Sequence, residues 1–281
     1  MTRGLVMRTL LVVGGLAAPG CGALEPPTAP SSSAPPTAAG RHQVTIAADG
    51  VVLGGVLYRP DTTEARPALI VLHGWLPAGS NGAATVEARA QRYAADGYVA
   101  LALAMRGWFP SGGVDDCGLH QPDDVVRAAE WLRGLPGVRA DRVGLVGFSQ
   151  GGQVALLAAA RDTRIRAVTA VYPVTDVARW KTTTTNPDIP GYVTAVCEPA
   201  GTAPRSPVTR ASGIAAPVLL VHGDADTRVP TEQSVLMRDA LAAAGRPVAL
   251  LLVPGAQHGF TAAEEAVARP AVDTFLAAEL R

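Results

Sequence analysis

The sequence carries little charge, and the charges that it carries cancel. Lys and Arg together number 24, Asp and Glu also number 24, and charged residues make up only 17% of the 281 positions. Proteins that hold nucleic acid or an anionic membrane surface electrostatically need an excess of basic side chains. We therefore expect no nucleic-acid partner. Apolar residues reach 48%, which is enough for one large folded domain with a substantial core.

Signatures of metal and cofactor sites are also missing. The chain has three cysteines, Cys21, Cys117 and Cys197, and none of them has the close spacing of metal ligands. None of the glycine-rich turns matches a phosphate loop or a dinucleotide fingerprint. We therefore expect neither a metal nor a cofactor.

The N-terminal apolar run is too short to cross a bilayer. Leu10–Ala18 supplies about half of the ~20 residues that a spanning helix needs. A basic start followed by a short apolar run is typical of a signal peptide, so we predict a signal peptide over residues 1–21 and an exported protein. The segment ends in a sequence that resembles a bacterial lipobox, which makes Cys21 a candidate for a lipid anchor in the membrane. Cleavage without lipidation is the alternative.

Residues 22–40 are dominated by Pro, Ser, Thr and Ala. Such a tract cannot bury enough apolar surface to fold, and we predict a semi-extended linker. The folded domain then covers residues 41–281. Within it, apolar strand patterns alternate with helix patterns, which predicts an α/β fold with a mainly parallel, doubly wound sheet of about eight strands and helices on both faces.

The most informative stretch is a strand, a turn and a helix around Ser149. Arg142–Phe148 is an apolar strand, Gly147-Phe-Ser149-Gln-Gly151 forms the turn, and an Ala/Leu-rich helix follows. This succession is typical of a nucleophile elbow, in which a strained turn exposes the serine hydroxyl and only Gly fits two residues to either side. Because the chain has 30 glycines, the motif alone can arise by chance, but the strand and helix around it favour a nucleophile.

A serine nucleophile needs a base, and the base needs an orienting acid. With the chain order Ser, acid, His, the sequence after Ser149 offers two histidines, His222 and His258. His258 follows the last strand in a loop and is favoured, whereas His222 ends a strand and is expected to hydrogen-bond locally. Asp224 and Asp226 both qualify as the acid, although Asp224 could instead cap its turn.

Three ordered motifs resemble the α/β-hydrolase superfamily. They are Gly-Phe-Ser149-Gln-Gly-Gly, His-Gly-Asp-Ala-Asp226-Thr-Arg-Val-Pro and Gln-His258-Gly-Phe. More narrowly, they are similar to its dienelactone-hydrolase-like and prolyl-oligopeptidase-like branches. The resemblance runs from about Val44 to the C-terminus and implies the α/β-hydrolase fold, with Asp226, the second aspartate of its loop, as the acid. Dienelactone hydrolases carry a cysteine nucleophile, where this sequence has Ser149.

The resemblance also implies an oxyanion hole and an activity. In this superfamily the loop after the third strand, here His73-Gly74-Trp75, gives one backbone donor and the residue after the nucleophile gives the other. These donors are the N–H groups of Trp75 and Gln150. The implied activity is cleavage of carboxylic esters through an acyl-enzyme, on a small-molecule ester or a short acyl or peptide substrate. The alternatives are a peptidase or amidase, and a non-catalytic binding domain on the same scaffold.

The alternation of strands and helices breaks over residues 174–216. Long insertions of this kind in a compact domain are usually functional or mobile. We predict a loop-like or cap-like segment, inserted before the acid-bearing strand, that lines a pocket, because its ends flank a strand beside Ser149. A passive surface loop is the alternative.

Two cysteines remain as an even pair if Cys21 is lipidated. An even pair in an oxidising compartment favours a disulfide. Cys117 follows the fourth strand and Cys197 lies in the insertion, so both are expected over the carboxyl edge of the sheet. We predict that these two residues form a disulfide.

Overall fold

The computed structural model describes Met1 and residues 36–281. Apart from Met1, the predicted signal peptide with Cys21 lies outside the described residues, and so does most of the predicted linker. Within residues 36–281, no helix is both long enough and apolar enough to cross a membrane.

Eight strands in the described part of the chain form one sheet, in the order β1-β2-β4-β3-β5-β6-β7-β8. β2 pairs antiparallel with β1 and with β4, and all the other neighbours are parallel. The inner strands are apolar runs because both of their sides are covered, as in other parallel sheets. The strands are β1 (Gly40–Ala48), β2 (Val51–Arg59), β3 (Arg66–Leu72), β4 (Val99–Leu103), β5 (Val138–Phe148), β6 (Ile165–Val171), β7 (Val218–Gly223) and β8 (Val248–Val253).

Helices pack on both faces of this sheet, as predicted. One face carries α1 (Gly82–Ala95) and α7 (Ala262–Leu280). The other carries α2 (Gln121–Arg133), α3 (Gln150–Arg161) and α6 (Glu232–Ala243). The predicted α/β-hydrolase architecture is therefore observed.

The carboxyl ends of β3, β5 and β6 lie level with one another, and this edge of the sheet is called the functional edge below. Leu72 at the end of β3 pairs with Gly147 of β5, and Phe148 of β5 pairs with Val171 of β6. Because these strands are parallel and end level, the residues that follow them leave the sheet side by side. The loops that begin at His73 and Ser149 are therefore neighbours.

The predicted insertion is made largely of short helices and helical turns. It contains α4 (Val177–Thr183) and α5 (Ile189–Tyr192), and short 3-10 and π turns cover most of residues 193–213. Its apolar side chains form a separate small core that includes Trp180, Val193 and the cysteine pair. The predicted disulfide is present and joins Cys117 to Cys197. The insertion is thereby tied to the loop between β4 and α2.

Candidate active site

Ser149 stands between β5 and α3 in a left-handed conformation, with φ 55° and ψ −118°. Such a φ is strained for a residue with a side chain. The flanking glycines make the turn possible. A Cβ at Gly147 would lie 2.2 Å from the carbonyl oxygen of Gly151, and a Cβ at Gly151 would lie 2.4 Å from that of His73. Only glycine fits at either position without moving backbone, so the turn has the geometry of a nucleophile elbow.

The side chains of Ser149, His258 and Asp226 meet at the functional edge. The Nε2 atom of His258 lies 3.0 Å from the Oγ of Ser149, and its Nδ1 lies 2.7 Å from the Oδ2 of Asp226. An ionised carboxylate only accepts hydrogen bonds, so Nδ1 carries the proton and Nε2 presents its lone pair to the serine hydroxyl. The arrangement is that of a base held in the tautomer that can deprotonate the serine.

The environment of Asp226 keeps its carboxylate ionised. Burial by itself raises the pKa of Asp226, but the nearby imidazoles of His222 and His258 and the N–H of Val229 outweigh it and lower the pKa to about 2. The N–H groups of Arg228 and Val229 both lie 3.0 Å from its Oδ1. Asp226 therefore stays negative wherever the fold is intact at ordinary pH.

The two alternative residues have other contacts. Asp224 accepts the N–H of Gly255 at 2.6 Å, and so connects the loops after β7 and β8. His222 is fully buried, with Nε2 2.8 Å from the carbonyl of Val229 and Nδ1 2.6 Å from the Oγ of Ser234. Since the carbonyl only accepts, Nε2 carries the proton. His222 thus supports the Asp226 loop, with its Nε2 3.5 Å from Oδ2 of that residue.

The residues that carry the two predicted oxyanion donors lie in the elbow and in the loop after β3. Gln150 is the first residue of α3, so its N–H is among those that a helix leaves without an internal acceptor. Gly74 runs close to the nucleophile, since a Cβ there would lie 3.2 Å from the Cβ of Ser149. Trp75 follows directly, with a half-exposed indole. Gln150 thus follows the serine directly in the chain, and Trp75 follows a glycine that packs against it.

A cavity of about 530 Å³ opens above Ser149 and His258. Its volume suits a small molecule of drug size. The insertion supplies much of its wall, which agrees with the prediction of a pocket-lining segment. The indole of Trp75 and the ring of Trp180 both meet Tyr192, with ring centroids 5.9 and 6.4 Å apart. The other apolar lining residues include Val86, Phe148, Tyr172, Val174, Ile189 and Val229.

A polar network behind this wall was not foreseen from the sequence. The phenol of Tyr192 donates to Oδ2 of Asp115 at 2.8 Å, and the side-chain amide of Gln150 donates to Oδ1 of the same carboxylate at 2.8 Å. Burial and the neighbouring Asp115 raise the pKa of Tyr192, so the phenol stays protonated. The network links the insertion to the residue that follows the nucleophile. A single sequence gives no signal for it, because its three members lie far apart along the chain.

The sequence relatives of the chain agree with this geometry. A sequence profile described as the prolyl oligopeptidase family matches residues 85–277. The chain belongs to the prolyl oligopeptidase family. One curated relative is the Salmonella typhimurium protein named "Putative carboxymethylenebutenolidase". It is 28% identical to this chain over 264 residues, and the alignment covers 84% of this chain and 88% of that protein.

Several solved structures share the fold of this protein. Pyrococcus horikoshii acylaminoacyl peptidase superposes with a TM-score of 0.74 at 21% identity, over 85% of this chain and 41% of that one. Pyrococcus furiosus esterase Pf2001 superposes with a TM-score of 0.69 at 21% identity, over 88% of this chain and 99% of that one. The chain thus spans about two fifths of the peptidase and nearly the whole esterase.

These comparisons confirm the predicted superfamily and fold. The prolyl oligopeptidase family member is a serine hydrolase of the α/β-hydrolase superfamily. Its structural neighbours include both a peptidase and an esterase.

Proposed function

We propose that the protein hydrolyses carboxylic esters with Ser149 as nucleophile, His258 as base and Asp226 as orienting acid. The observation that carries this proposal is the continuous chain of two hydrogen bonds from the serine Oγ through His258 to the Asp226 carboxylate, at 3.0 and 2.7 Å. Lowering of the Asp226 pKa to about 2, with hydrogen bonds outweighing burial, supports its role as a permanent anion beside the imidazole.

Each proton in the proposed reaction moves through His258. As Ser149 Oγ attacks the ester carbon, its proton passes to Nε2 and the carbonyl electron pair moves onto the carbonyl oxygen. The amides of Trp75 and Gln150 donate to that oxyanion. When the C–O bond to the leaving alcohol breaks, Nε2 returns the proton to the alcohol. Water then attacks the acyl-enzyme, gives its proton to Nε2, and the released serine recovers a proton from there.

The cavity has a large aromatic wall that suits an apolar or planar substrate group, and Arg89, Asp188 and Arg228 line other parts of it. Trp75, Trp180 and Tyr192 present aromatic surface within one cavity, and such surface binds apolar and planar groups well. An ester is also easier to cleave than an amide, because an alcohol is the easier leaving group. We therefore place small carboxylic esters ahead of amides as substrates.

Active-site labelling and ester turnover test the proposal directly. The wild type is treated with a fluorophosphonate probe and assayed on p-nitrophenyl esters of increasing chain length, beside Ser149→Ala, Asp226→Asn and the matched control Asp224→Asn. We expect labelling and turnover in the wild type and in the Asp224 variant. Loss of Asp226 should lower kcat by about 10⁴-fold, as in related triads. Equal effects of the two aspartate variants, or a folded wild type that is inert, would contradict the proposal.

A peptidase is the second candidate, because the matching family is named for oligopeptidases. Matched pairs of p-nitrophenyl ester and p-nitroanilide with the same acyl group separate the two activities. Higher kcat/KM on the anilides would favour the peptidase. Binding of such compounds without any turnover would instead favour a non-catalytic binding domain.

We further propose that the protein acts outside the cytoplasm, anchored through Cys21 or released. The disulfide between Cys117 and Cys197 supports this, because disulfides persist in oxidising compartments. Metabolic labelling with an alkyne fatty acid, in cells that express the wild type or Cys21→Ala, tests the anchor. Label in both proteins, or in neither, would argue against lipidation at Cys21.

A further inference from the structure

We propose that His73 is a positioning residue that aims the Trp75 N–H at the oxyanion. The inference rests on the proposed function, since it assigns a role within the same site. His73 does not touch the cavity. It acts through the peptide bond between Gly74 and Trp75.

The hydrogen bonds of His73 fix its tautomer. The side chain is 1% exposed, and its Nε2 lies 3.0 Å from the backbone nitrogen of Met105, which can only donate. Nε2 therefore accepts, and Nδ1 carries the proton. The Nδ1 atom lies 2.7 Å from the carbonyl oxygen of Gly74 and donates to it. Both ring nitrogens are thus satisfied by backbone.

Holding the Gly74 carbonyl also fixes the Trp75 amide. The two groups belong to one planar trans peptide unit, in which C=O and N–H point in opposite directions. Gly74 has the backbone freedom of a residue without Cβ, so the peptide plane could otherwise rotate. With its oxygen bound to the imidazole on one side, the unit presents its N–H on the opposite side. Preorganised donors of this kind are what stabilise an oxyanion.

The imidazole is itself immobilised from several directions. Its ring meets Trp108 edge-on, with centroids 5.0 Å apart and planes at 84°. The indole nitrogen of Trp108 donates to the carbonyl of Leu76 at 3.0 Å, so the same residue holds the far end of the Trp75 loop. The start of α1 closes the remaining side, because a Cβ at Gly82 would lie 2.2 Å from the His73 Nε2.

Burial also keeps this imidazole neutral. It lowers the pKa of His73 to about 4, against an opposing effect of the hydrogen bond to Gly74. A neutral ring with a fixed tautomer offers one donor and one acceptor, which are the two bonds that the loop uses. His73 therefore connects the segment that follows β4 to the loop that carries Trp75.

Two conservative variants separate the two hydrogen bonds. The amide nitrogen of Asn can replace Nδ1, so His73→Asn keeps a donor for the Gly74 carbonyl. The amide oxygen of Gln can replace Nε2, so His73→Gln keeps the acceptor for Met105 and loses that donor. Both variants lose one buried hydrogen bond and serve as matched controls for stability. Steady-state kinetics on a p-nitrophenyl ester, with Tm recorded for each protein, then compares them.

We expect His73→Gln to lower kcat by about tenfold or more with KM nearly unchanged, because loss of one oxyanion donor costs about 10²–10³ in kcat. His73→Asn should keep kcat within about threefold of the wild type. Equal losses in both variants would indicate a merely structural role and overturn the inference, as would no loss in His73→Gln. An inert wild type would overturn the proposed function, and this inference with it.

A measurement on the wild type covers the case in which a variant does not fold. Long-range ¹H–¹⁵N correlation spectra of histidine-labelled protein report which ring nitrogen carries the proton. We expect the Nδ1–H tautomer for His73 at neutral pH. An Nε2–H tautomer or an imidazolium at that pH would overturn the inference, because neither allows the hydrogen-bond pattern described above.

Discussion

Removal of the Cys117–Cys197 disulfide should lower both the stability and the substrate affinity of the protein. The bond closes a loop with a sequence separation of 80 residues. In the chain-entropy treatment, a loop of this length restricts the unfolded state by about 15 cal/mol/K, which corresponds to about 4.5 kcal/mol at 25 °C. The double variant Cys117→Ser/Cys197→Ser should therefore lose about 2–5 kcal/mol of the free energy of unfolding.

The position of the disulfide predicts a specific kinetic effect. Cys197 ends the helical turn that begins directly after Tyr192, and Tyr192 forms part of the cavity wall. The three proposed catalytic residues lie on other elements. We therefore expect the KM for an ester substrate to rise several-fold in the double variant, whereas kcat should change little.

Urea unfolding and ester kinetics, each with and without a thiol reductant, test this prediction. The wild type in reductant should behave like the double variant, and the double variant should not respond to reductant. A stability loss below about 1 kcal/mol, or a fall in kcat with unchanged KM, would refute the reasoning.

Three further predictions concern single sites. His73 has a pKa of about 4 in the folded protein and about 6.5 in the unfolded chain, so between these pH values the unfolded chain binds more protons. In urea titrations the free energy of unfolding should therefore be full above pH 6.5 and fall by about 3 kcal/mol towards pH 4, and this fall should be absent in His73→Asn. Gly151→Ala should abolish fluorophosphonate labelling, because its Cβ meets backbone at 2.4 Å, whereas Gly191→Ala, with open space around it, should label normally. Tyr192→Phe should cost about 1–3 kcal/mol by leaving Asp115 short of a donor, and an unchanged Tm would contradict this.

The sheet and the elbow were predictable because their signals are local. Strands buried on both faces read as apolar runs, and Leu69–Leu72 of β3 is fully buried. The glycines around Ser149 are required by contacts within the turn and with the adjacent strand end. The loop aspartate was selected by resemblance, and the structure places Asp226 rather than Asp224 beside His258.

The insertion was harder to predict because its contacts are distant in the chain. α5 is four residues long, too short to be stable by itself, and its Tyr192 is held by Asp115 and by the nearby disulfide. One local signal was present. Asp176 caps α4 by accepting the N–H of Arg179 at 3.0 Å, and an Asp directly before the first helical residue is a recognised N-terminal pattern.

The Tyr192–Asp115–Gln150 network has a consequence for altering substrate preference. Tyr192 faces the cavity with its ring, yet its hydroxyl shares a carboxylate with Gln150, whose backbone N–H is a proposed oxyanion donor. A variant library that randomises Tyr192 would therefore change the shape of the cavity wall and the support of Gln150 at the same time. Ile189 and Val174 line the same cavity with hydrocarbon side chains, which cannot hydrogen-bond to that carboxylate. A directed-evolution campaign should diversify these two positions first and keep the tyrosine fixed.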